Sequence, residues 1–123
     1  MDNGVIRTFE SGATRDTATD KLDYEGFLSH AVLERYAQYM HRHRKQSDGT
    51  LRASDNWQKG IPQDQYMKSL WRHFMDVWVH QRGDGKAAVE PDVEEALCAV
   101  IFNSMGLLHE LLKERIIYGT ETK

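Results

Sequence analysis

The sequence has little of what marks several large classes of protein. Its 123 residues include one cysteine, Cys98, so no disulfide forms within the chain and a reducing compartment is expected. No uninterrupted apolar run reaches the roughly 18 residues that a membrane span requires. The first residues also lack the basic and apolar regions of a signal peptide. We therefore expect a cytoplasmic protein that does not enter a membrane.

Positive charge is not in excess either. The chain has 16 Lys and Arg residues against 19 Asp and Glu residues, which gives a formal net charge of -3. This balance argues against binding to a nucleic acid polymer, whose phosphates select for a basic surface. The glycine motifs of phosphate loops and dinucleotide folds are absent, as is the nucleophile elbow of hydrolases. With 40% hydrophobic residues, the chain supports one domain with a modest core.

Helical periodicity is what the sequence does contain. It predicts a first helix over residues 29–45, with Ser29 as its N-cap. A second helix is expected after Gly60, because Pro62 suits a first helical turn and Gly83 suits a helix end.

The third predicted helix is opened by Pro91 and has acidic residues in its first turn, where they complement the helix dipole. Between residues 96 and 112 it is apolar on most sides. A helix of that kind is typically central or lies on a dimer axis, so we expect a homo-oligomer.

The remaining segments carry little periodic signal. Residues 1–27 are interpreted as an irregular N-terminal arm, residues 28–115 as the helical domain and residues 116–123 as a tail that could begin with a short extended segment. No alternation of period two is evident, so no sheet is predicted. The expected fold is all-α, a small bundle of three or four helices.

Residues 55–60, with the sequence DNWQKG, are the most suggestive local segment. The ring of Trp57 is suited to stacking on a base, and Lys59 beside a glycine backbone is suited to holding phosphate oxygens. The plainer interpretation is that Trp57 closes the core and Asn56 caps a turn, which is the commoner use of such residues in loops.

Several helical residues are further candidates. Arg72 and His73 lie in the second predicted helix, where a surface arginine and a core histidine are the plainer interpretations. Glu94 and Glu95 are a candidate pair for a hard cation such as Mg²⁺, although acids in a first turn also complement the dipole. Asn103 lies within an apolar stretch and therefore needs a partner, which is a backbone group, a buried network or a ligand.

A basic cluster closes the first predicted helix. It comprises His41, Arg42, His43, Arg44 and Lys45. The two histidines are two residues apart and point to opposite sides of a helix, which does not suit zinc. The cluster is interpreted as a solvated helix end, with polyphosphate binding as the alternative.

Taken in order, these segments resemble the dATP/dGTP diphosphohydrolase-like family of phages and bacteria. Its members commonly show Lys-x-Asp, an Asn-Trp-x-Lys-Gly loop, an Arg-His pair in a helix and an apolar final helix containing Asn. The matching residues here are Lys21, Asp23, Asn56, Trp57, Lys59, Gly60, Arg72, His73 and Asn103. The resemblance covers nearly the whole chain, about residues 12–112.

The resemblance implies an all-α fold similar to the MazG-like nucleotide pyrophosphohydrolases, which are usually oligomeric. The implied reaction removes pyrophosphate from a purine deoxynucleoside triphosphate, in the host cytoplasm for a phage protein. Mg²⁺ or Mn²⁺ held by carboxylates would activate the attacking water. The implied substrate contacts are Lys21, Asn56, Trp57, Lys59, Arg72 and Asn103. The implied metal ligands are Asp23, Glu94 and Glu95, and the implied catalytic residue is His73.

The final helix departs from the family at three positions. Ala96 and Ala99 stand where many members carry two histidines, and Cys98 stands where the MazG-like acidic motif has its third acid. The leading hypothesis is thus a metal-dependent pyrophosphohydrolase with an incomplete ligand set. The alternative is a non-catalytic phage protein that binds and sequesters a nucleotide signal of host defence. A third hypothesis is a helical adaptor that binds other proteins and no nucleotide.

Overall fold

In the computed structural model of this protein, residues 5–17, 20–83 and 92–117 are described. The chain divides into two units, Met1–Leu33 and Glu34–Lys123. Helices account for most of the described residues, which agrees with the predicted helical character. The prediction of no sheet is wrong, because the first unit contains a β-hairpin.

The hairpin consists of β1 (Val5–Thr8) and β2 (Thr14–Thr17), which pair antiparallel with Thr8 opposite Thr14. Its turn is closed by the Phe9 amide, which donates to the carbonyl of Ala13 at 2.8 Å. Gly12 lies in this turn with φ of 93°, a conformation that favours glycine. The segment interpreted as irregular is therefore partly ordered as a two-stranded ribbon.

A short helix, α1 (Tyr24–Phe27), follows the hairpin in the same unit. The Asp23 carboxylate caps it by accepting a hydrogen bond from the Gly26 amide at 2.9 Å. The next helix, α2 (His30–Arg42), begins where predicted, with the Ser29 hydroxyl accepting from the Val32 amide at 3.2 Å.

Helix α2 ends three residues before the predicted end because the chain there enters a turn. Lys45 and Leu51 form an isolated antiparallel bridge. The turn between them is held by Asp48, whose carboxylate accepts from the Thr50 amide at 3.0 Å, and by Gly49 with φ of 87°. A 3₁₀ helix, Asn56–Lys59, then leads to the second long helix.

Helix α3 (Gln63–Arg82) has the predicted boundaries. Pro62 precedes it with φ of -57°, and Gly83 ends it in the left-handed conformation, donating to the Val79 carbonyl at 3.0 Å. Helix α4 (Val93–Ile117) follows, with the Asp92 carboxylate accepting from the Glu94 amide at 2.9 Å. Gly85, Pro91 and residues 118–123 lie outside the described residues, whereas Ile116 is helical and not part of an extended tail.

Helices α3 and α4 pack closely on each other and form most of the core. The ring of Tyr66 lies directly on the backbone of Gly106, where an added Cβ would be 2.3 Å from the ring carbons. Tyr66 is 1% exposed, and the small residues Ala96 and Ala99 of α4 are also fully buried. The close approach of the two helices therefore depends on the absence of side-chain bulk along one side of α4.

The opposite side of α4 is apolar and exposed. By length and composition alone, its segment Val93–Ile116 qualifies as a membrane span, with a mean hydropathy of 1.3. The sequence predicts no such segment when only uninterrupted apolar runs are considered. The mean hydropathy of a window also accepts a segment with a few polar residues in it. Only 28% of the qualifying window is buried within the protein, so α4 buries one side and presents the other.

Replacing Gly106 with Ala is expected to destabilise the protein. In an open helix the change stabilises by about 1 kcal/mol, but here the methyl group collides with Tyr66, and overpacking costs about 1–3 kcal/mol. Urea unfolding measures the difference. Ser104→Ala, at an exposed position of the same helix, is the control and should be neutral or stabilising. A more stable Gly106→Ala variant would contradict the packing described.

Candidate functional site

A cleft of about 470 Å³ lies within the second unit. Its walls come from the end of α2, the segment that follows it, the 3₁₀ helix and one residue of α4. The lining residues are Ala37, Tyr39, Met40, His41, His43, Arg44, Arg52, Ala53, Ser54, Asn56, Trp57, Ile61 and Phe102. None of these described residues is acidic.

One wall of the cleft is built around Trp57. Its indole ring makes edge contacts with Phe102, at a centroid distance of 6.2 Å, and with His109, at 4.9 Å. The Ile61 amide also donates to the Glu110 carboxylate at 3.5 Å, which ties the segment after the 3₁₀ helix to α4. These contacts hold the indole against α4 while part of it lines the cleft.

A second wall comes from α2 and its C-terminal end. The rings of Tyr39 and His43 lie 4.1 Å apart between centroids, and the His43 Nδ1 atom is 2.8 Å from the Tyr39 carbonyl oxygen. Both residues line the cleft, so its two aromatic walls are Trp57 with Phe102 and Tyr39 with His43.

Two arginines supply the positive charge of the cleft. The Nε atom of Arg44 donates to the Arg52 carbonyl at 2.8 Å, and Nη2 of Arg52 donates to the His43 carbonyl at 2.7 Å. Each guanidinium has five N–H donors, so one backbone hydrogen bond orients it and leaves others for a ligand. The turn between Lys45 and Leu51 brings these arginines, eight residues apart, to the same wall.

The candidate metal pair lies elsewhere, at the start of α4, and it is occupied by arginines. Arg35 donates through Nε to Glu94 at 2.7 Å and through Nη2 to Glu95 at 2.9 Å. Arg42 also pairs with Glu95, its Nη1 lying 3.2 Å from Oε1. The Glu95 side chain is 13% exposed, and its hydrogen bonds from Arg42 and Arg35 hold its pKa below the ordinary value.

These carboxylates do not complete a site for Mg²⁺ or Mn²⁺. Among residues 5–17, 20–83 and 92–117, no group of three or more His, Cys, Asp or Glu side chains is arranged to hold a metal ion. Ala96 and Ala99 are buried in the core, and burial raises the pKa of the neighbouring Cys98 thiol. Asp23 belongs to the first unit, where it caps α1.

The other predicted site residues are not in the lining of the cleft. Arg72 and Lys59 are exposed, and Lys21 belongs to the first unit. The Asn103 amide donates to the Ala99 carbonyl of its own helix at 2.8 Å, so the required partner is a backbone group. The Nδ1 atom of His73 is buried and has no hydrogen-bond partner within the described part of the chain.

Of the residues predicted to contact substrate, Asn56 and Trp57 line the cleft. The other cations and rings of the cleft are not among the predicted contacts. Arg44 and the two histidines belong to the basic cluster, for which the sequence favours a solvated helix end over polyphosphate binding. Tyr39 and Arg52 carried no local signal, because only the turn after α2 brings them to the same cavity.

No protein-family model, curated protein or solved structure matches this chain.

Replacing Glu95 with Gln is expected to lower the free energy of unfolding at pH 7 by about 1.5–3 kcal/mol, the range for hydrogen bonds to charged groups. Because the folded-state pKa of Glu95 is lowered, this contribution is complete above the ordinary value of 4.5 and is lost as the pH falls through the folded value. Urea unfolding across this range should show the wild-type advantage disappearing in acid.

The matched control is Glu94→Gln, which removes the neighbouring carboxylate. Its side chain is 67% exposed and pairs only with Arg35 among the described contacts, so solvent screening should make its loss smaller at every pH. Equal effects of the two substitutions, or a Glu95 effect that persists unchanged in acid, would contradict the assigned ion-pair cluster.

Proposed function

We propose that this protein binds a nucleotide in the cleft of the second unit. The observation that carries the proposal is the combination of aromatic walls and two arginines in a cleft whose described lining contains no acidic residue. A nucleotide needs both features, since its base stacks on rings and its phosphates need fixed donors and positive charge.

The cleft offers a distinct environment for each part of the ligand. Trp57 and Tyr39 provide ring faces or edges for the base, and the Asn56 amide provides both a donor and an acceptor beside Trp57. Arg44 and Arg52 face the phosphates, with guanidinium groups that match phosphate oxygens in geometry. Its volume of about 470 Å³ is within the roughly 300–1,000 Å³ typical of small-molecule sites.

Binding without hydrolysis is the mode that the residues support best. Hydrolysis of a triphosphate needs charge neutralisation that Mg²⁺ or Mn²⁺ ordinarily supplies, held by carboxylates. Glu94 and Glu95 are engaged by arginines, and the positions of the family's two histidines are buried alanines. We therefore propose a protein that retains its nucleotide intact, as a sequestering protein of a phage would.

The second candidate is the metal-dependent pyrophosphohydrolase acting on purine deoxynucleoside triphosphates. The order of the Asn56-to-Gly60 segment, the Arg72-His73 pair and Asn103 favours it through the family resemblance. The two candidates differ in the fate of the ligand. The hydrolase would convert it to a nucleoside monophosphate and pyrophosphate, whereas the sequestering protein would retain it intact. The purine preference of this second candidate comes from the resemblance.

Incubation with a panel of nucleotides, cyclic dinucleotides included, with and without Mg²⁺ or Mn²⁺, separates the candidates. Mass spectrometry would follow both the products in solution and the ligand released when the desalted protein is denatured. Intact ligand recovered from the protein supports sequestration. Pyrophosphate with a monophosphate supports the hydrolase. Neither result in any arm would overturn both candidates and favour a protein-binding adaptor.

Replacing Arg52 with Gln is expected to weaken nucleotide binding roughly 10- to 100-fold, the loss that corresponds to one hydrogen bond to a charged group. Glutamine keeps an N–H donor for the His43 carbonyl, so the turn should stay folded. Isothermal titration against the best ligand of the panel measures the change.

Lys45→Gln is the matched control, since it removes a cation one residue after Arg44 that does not line the cleft. Arg72→Gln tests the role implied by the resemblance. If Arg72→Gln abolished binding while Arg52→Gln left it intact, the cleft would be the wrong site.

A further inference from the structure

Arg44 and Arg52 lie opposite each other in a short antiparallel ladder. The bridge between Lys45 and Leu51 sets the register, which makes residues 44 and 52 a directly opposite pair. The Arg52 amide donates to the Arg44 carbonyl at 2.8 Å, as a hydrogen-bonded pair in this register does. The two arginines therefore extend from neighbouring segments of the ladder.

Both arginine side chains emerge from the same face of this ladder. Residues that are directly opposite share a face, and successive residues alternate between the two faces. The next pair on that face, Gln46 and Thr50, makes a side-chain hydrogen bond at 2.9 Å across the ladder, which agrees with the register. Lys45 belongs to the other face and does not line the cleft, whereas both arginines line it.

The arginine pair brings two like charges together without an acid to balance them. Like charges directly opposite each other destabilise a ladder. Neither guanidinium makes an ion pair among residues 5–17, 20–83 and 92–117. Asp48, the acidic residue of the turn, has its Oδ1 atom engaged by Thr50 through two hydrogen bonds. Local choices that work against stability are expected at functional sites, and a bound anion would remove this repulsion.

Each guanidinium is already oriented and keeps donors for a ligand. Arg44 uses Nε to reach the Arg52 carbonyl, which leaves its two terminal nitrogens. Arg52 uses Nη2 to reach the His43 carbonyl, which leaves Nε and Nη1. Because each side chain is anchored on the opposite segment of the ladder, a ligand does not have to order two flexible side chains.

The donors and charges of the pair fit a terminal phosphate group. A phosphate monoester carries about two negative charges on three terminal oxygens, whereas a phosphodiester or a carboxylate carries about one charge on two oxygens. A monoester can therefore accept from both guanidiniums and balance both charges.

The same pair disfavours a phosphate group that carries Mg²⁺. This ion binds phosphate oxygens directly and takes further contacts from carboxylates of the protein. The described lining of the cleft has no carboxylate, and a metal ion beside Arg44 and Arg52 would meet like charge. The metal-free phosphate is therefore the form that fits.

We propose that Arg44 and Arg52 together form a site for one terminal, metal-free phosphate group. The inference rests on the proposed function, in which the nucleotide of the cleft carries this phosphate. It narrows the ligand class to nucleotides that end in a phosphate monoester. It also makes Mg²⁺ a competitor of the two arginines for the phosphate oxygens of a triphosphate.

Isothermal titration of the full chain with related ligands, in the presence of EDTA, tests the phosphate assignment. The ligands are 2′-deoxyadenosine, its 5′-monophosphate and its 3′,5′-cyclic monophosphate, together with the same three forms of 2′-deoxyguanosine. The 5′-monophosphate is expected to bind roughly tenfold more tightly, or better, than the other two forms of the same base. Equal affinity of the cyclic and the open monophosphate would overturn the inference and leave nucleotide binding in place.

Glutamine variants test which residues hold the phosphate. Arg44→Gln and Arg52→Gln should each remove most of the preference for the monophosphate over the nucleoside, and the double variant should bind the two alike. Since one group contacts both arginines, the two losses should not add. Unchanged nucleoside affinity shows that the cleft of a variant is intact. Lys45→Gln, on the other face of the ladder, is the control and should keep the full preference. A preference that survives the double variant overturns the site.

Titration with 2′-deoxyadenosine 5′-triphosphate tests the role of the metal. Mg²⁺ in excess of the nucleotide should weaken binding of the triphosphate roughly tenfold or more, because it occupies the phosphate oxygens that the arginines need. Binding of the monophosphate, which holds Mg²⁺ weakly, should change little. Tighter binding of the triphosphate with Mg²⁺ would overturn the metal-free assignment.

Inorganic phosphate distinguishes failure of this inference from failure of the proposed function. Compared with chloride at equal ionic strength, it should raise the melting temperature of the wild-type protein and of Lys45→Gln, but not of the double variant. That result without nucleotide binding in any arm would support the phosphate site and overturn the nucleotide as its source. No effect of phosphate, with nucleotide binding that the double variant leaves intact, would overturn the site alone.

Discussion

The contact of Tyr66 with the bare backbone of Gly106 underlies the arrangement of the second unit. Because no Cβ stands at position 106, the ring lies against α4 and the two long helices approach closely. The same ring makes an edge contact with Phe102, at a centroid distance of 5.9 Å, and Phe102 in turn contacts Trp57. A continuous row of rings therefore connects the core between α3 and α4 to the wall of the cleft.

The acidic side chains at the start of α4 and the arginines of the cleft lie in different parts of the second unit. The carboxylates at the start of α4 are paired with Arg35 and Arg42, whereas Arg44 faces a cleft whose described lining has no acidic side chain. Arg42 and Arg44 are only two residues apart, but successive positions around the end of a helix point in different directions. One therefore neutralises the carboxylates, while the other lines the cleft in which we propose that a nucleotide binds.

Helix boundaries were the most predictable part of the fold. Ser29, Pro62 and Gly83 act where expected because caps and stops depend on a residue's own backbone preference and on hydrogen bonds within one helical turn. The hairpin was missed for a related reason. Strands made of polar residues, such as Thr14–Thr17 with the sequence TRDT, carry no alternation of apolar and polar residues from which a strand is predicted.

The sequence by itself determined the helical class, most of the helix boundaries and the apolar character of α4, since each follows from neighbours within a few residues. It also determined that Asn103 needs a partner, because an amide in an apolar helix cannot stay unsatisfied. Only the tertiary structure decided which groups meet. Glu95 pairs with Arg35 across 60 residues of chain, and Arg52 reaches the same cavity as Tyr39 through a turn. Contacts between residues so far apart in the sequence depend on how whole helices pack, and no local sequence pattern predicts that packing.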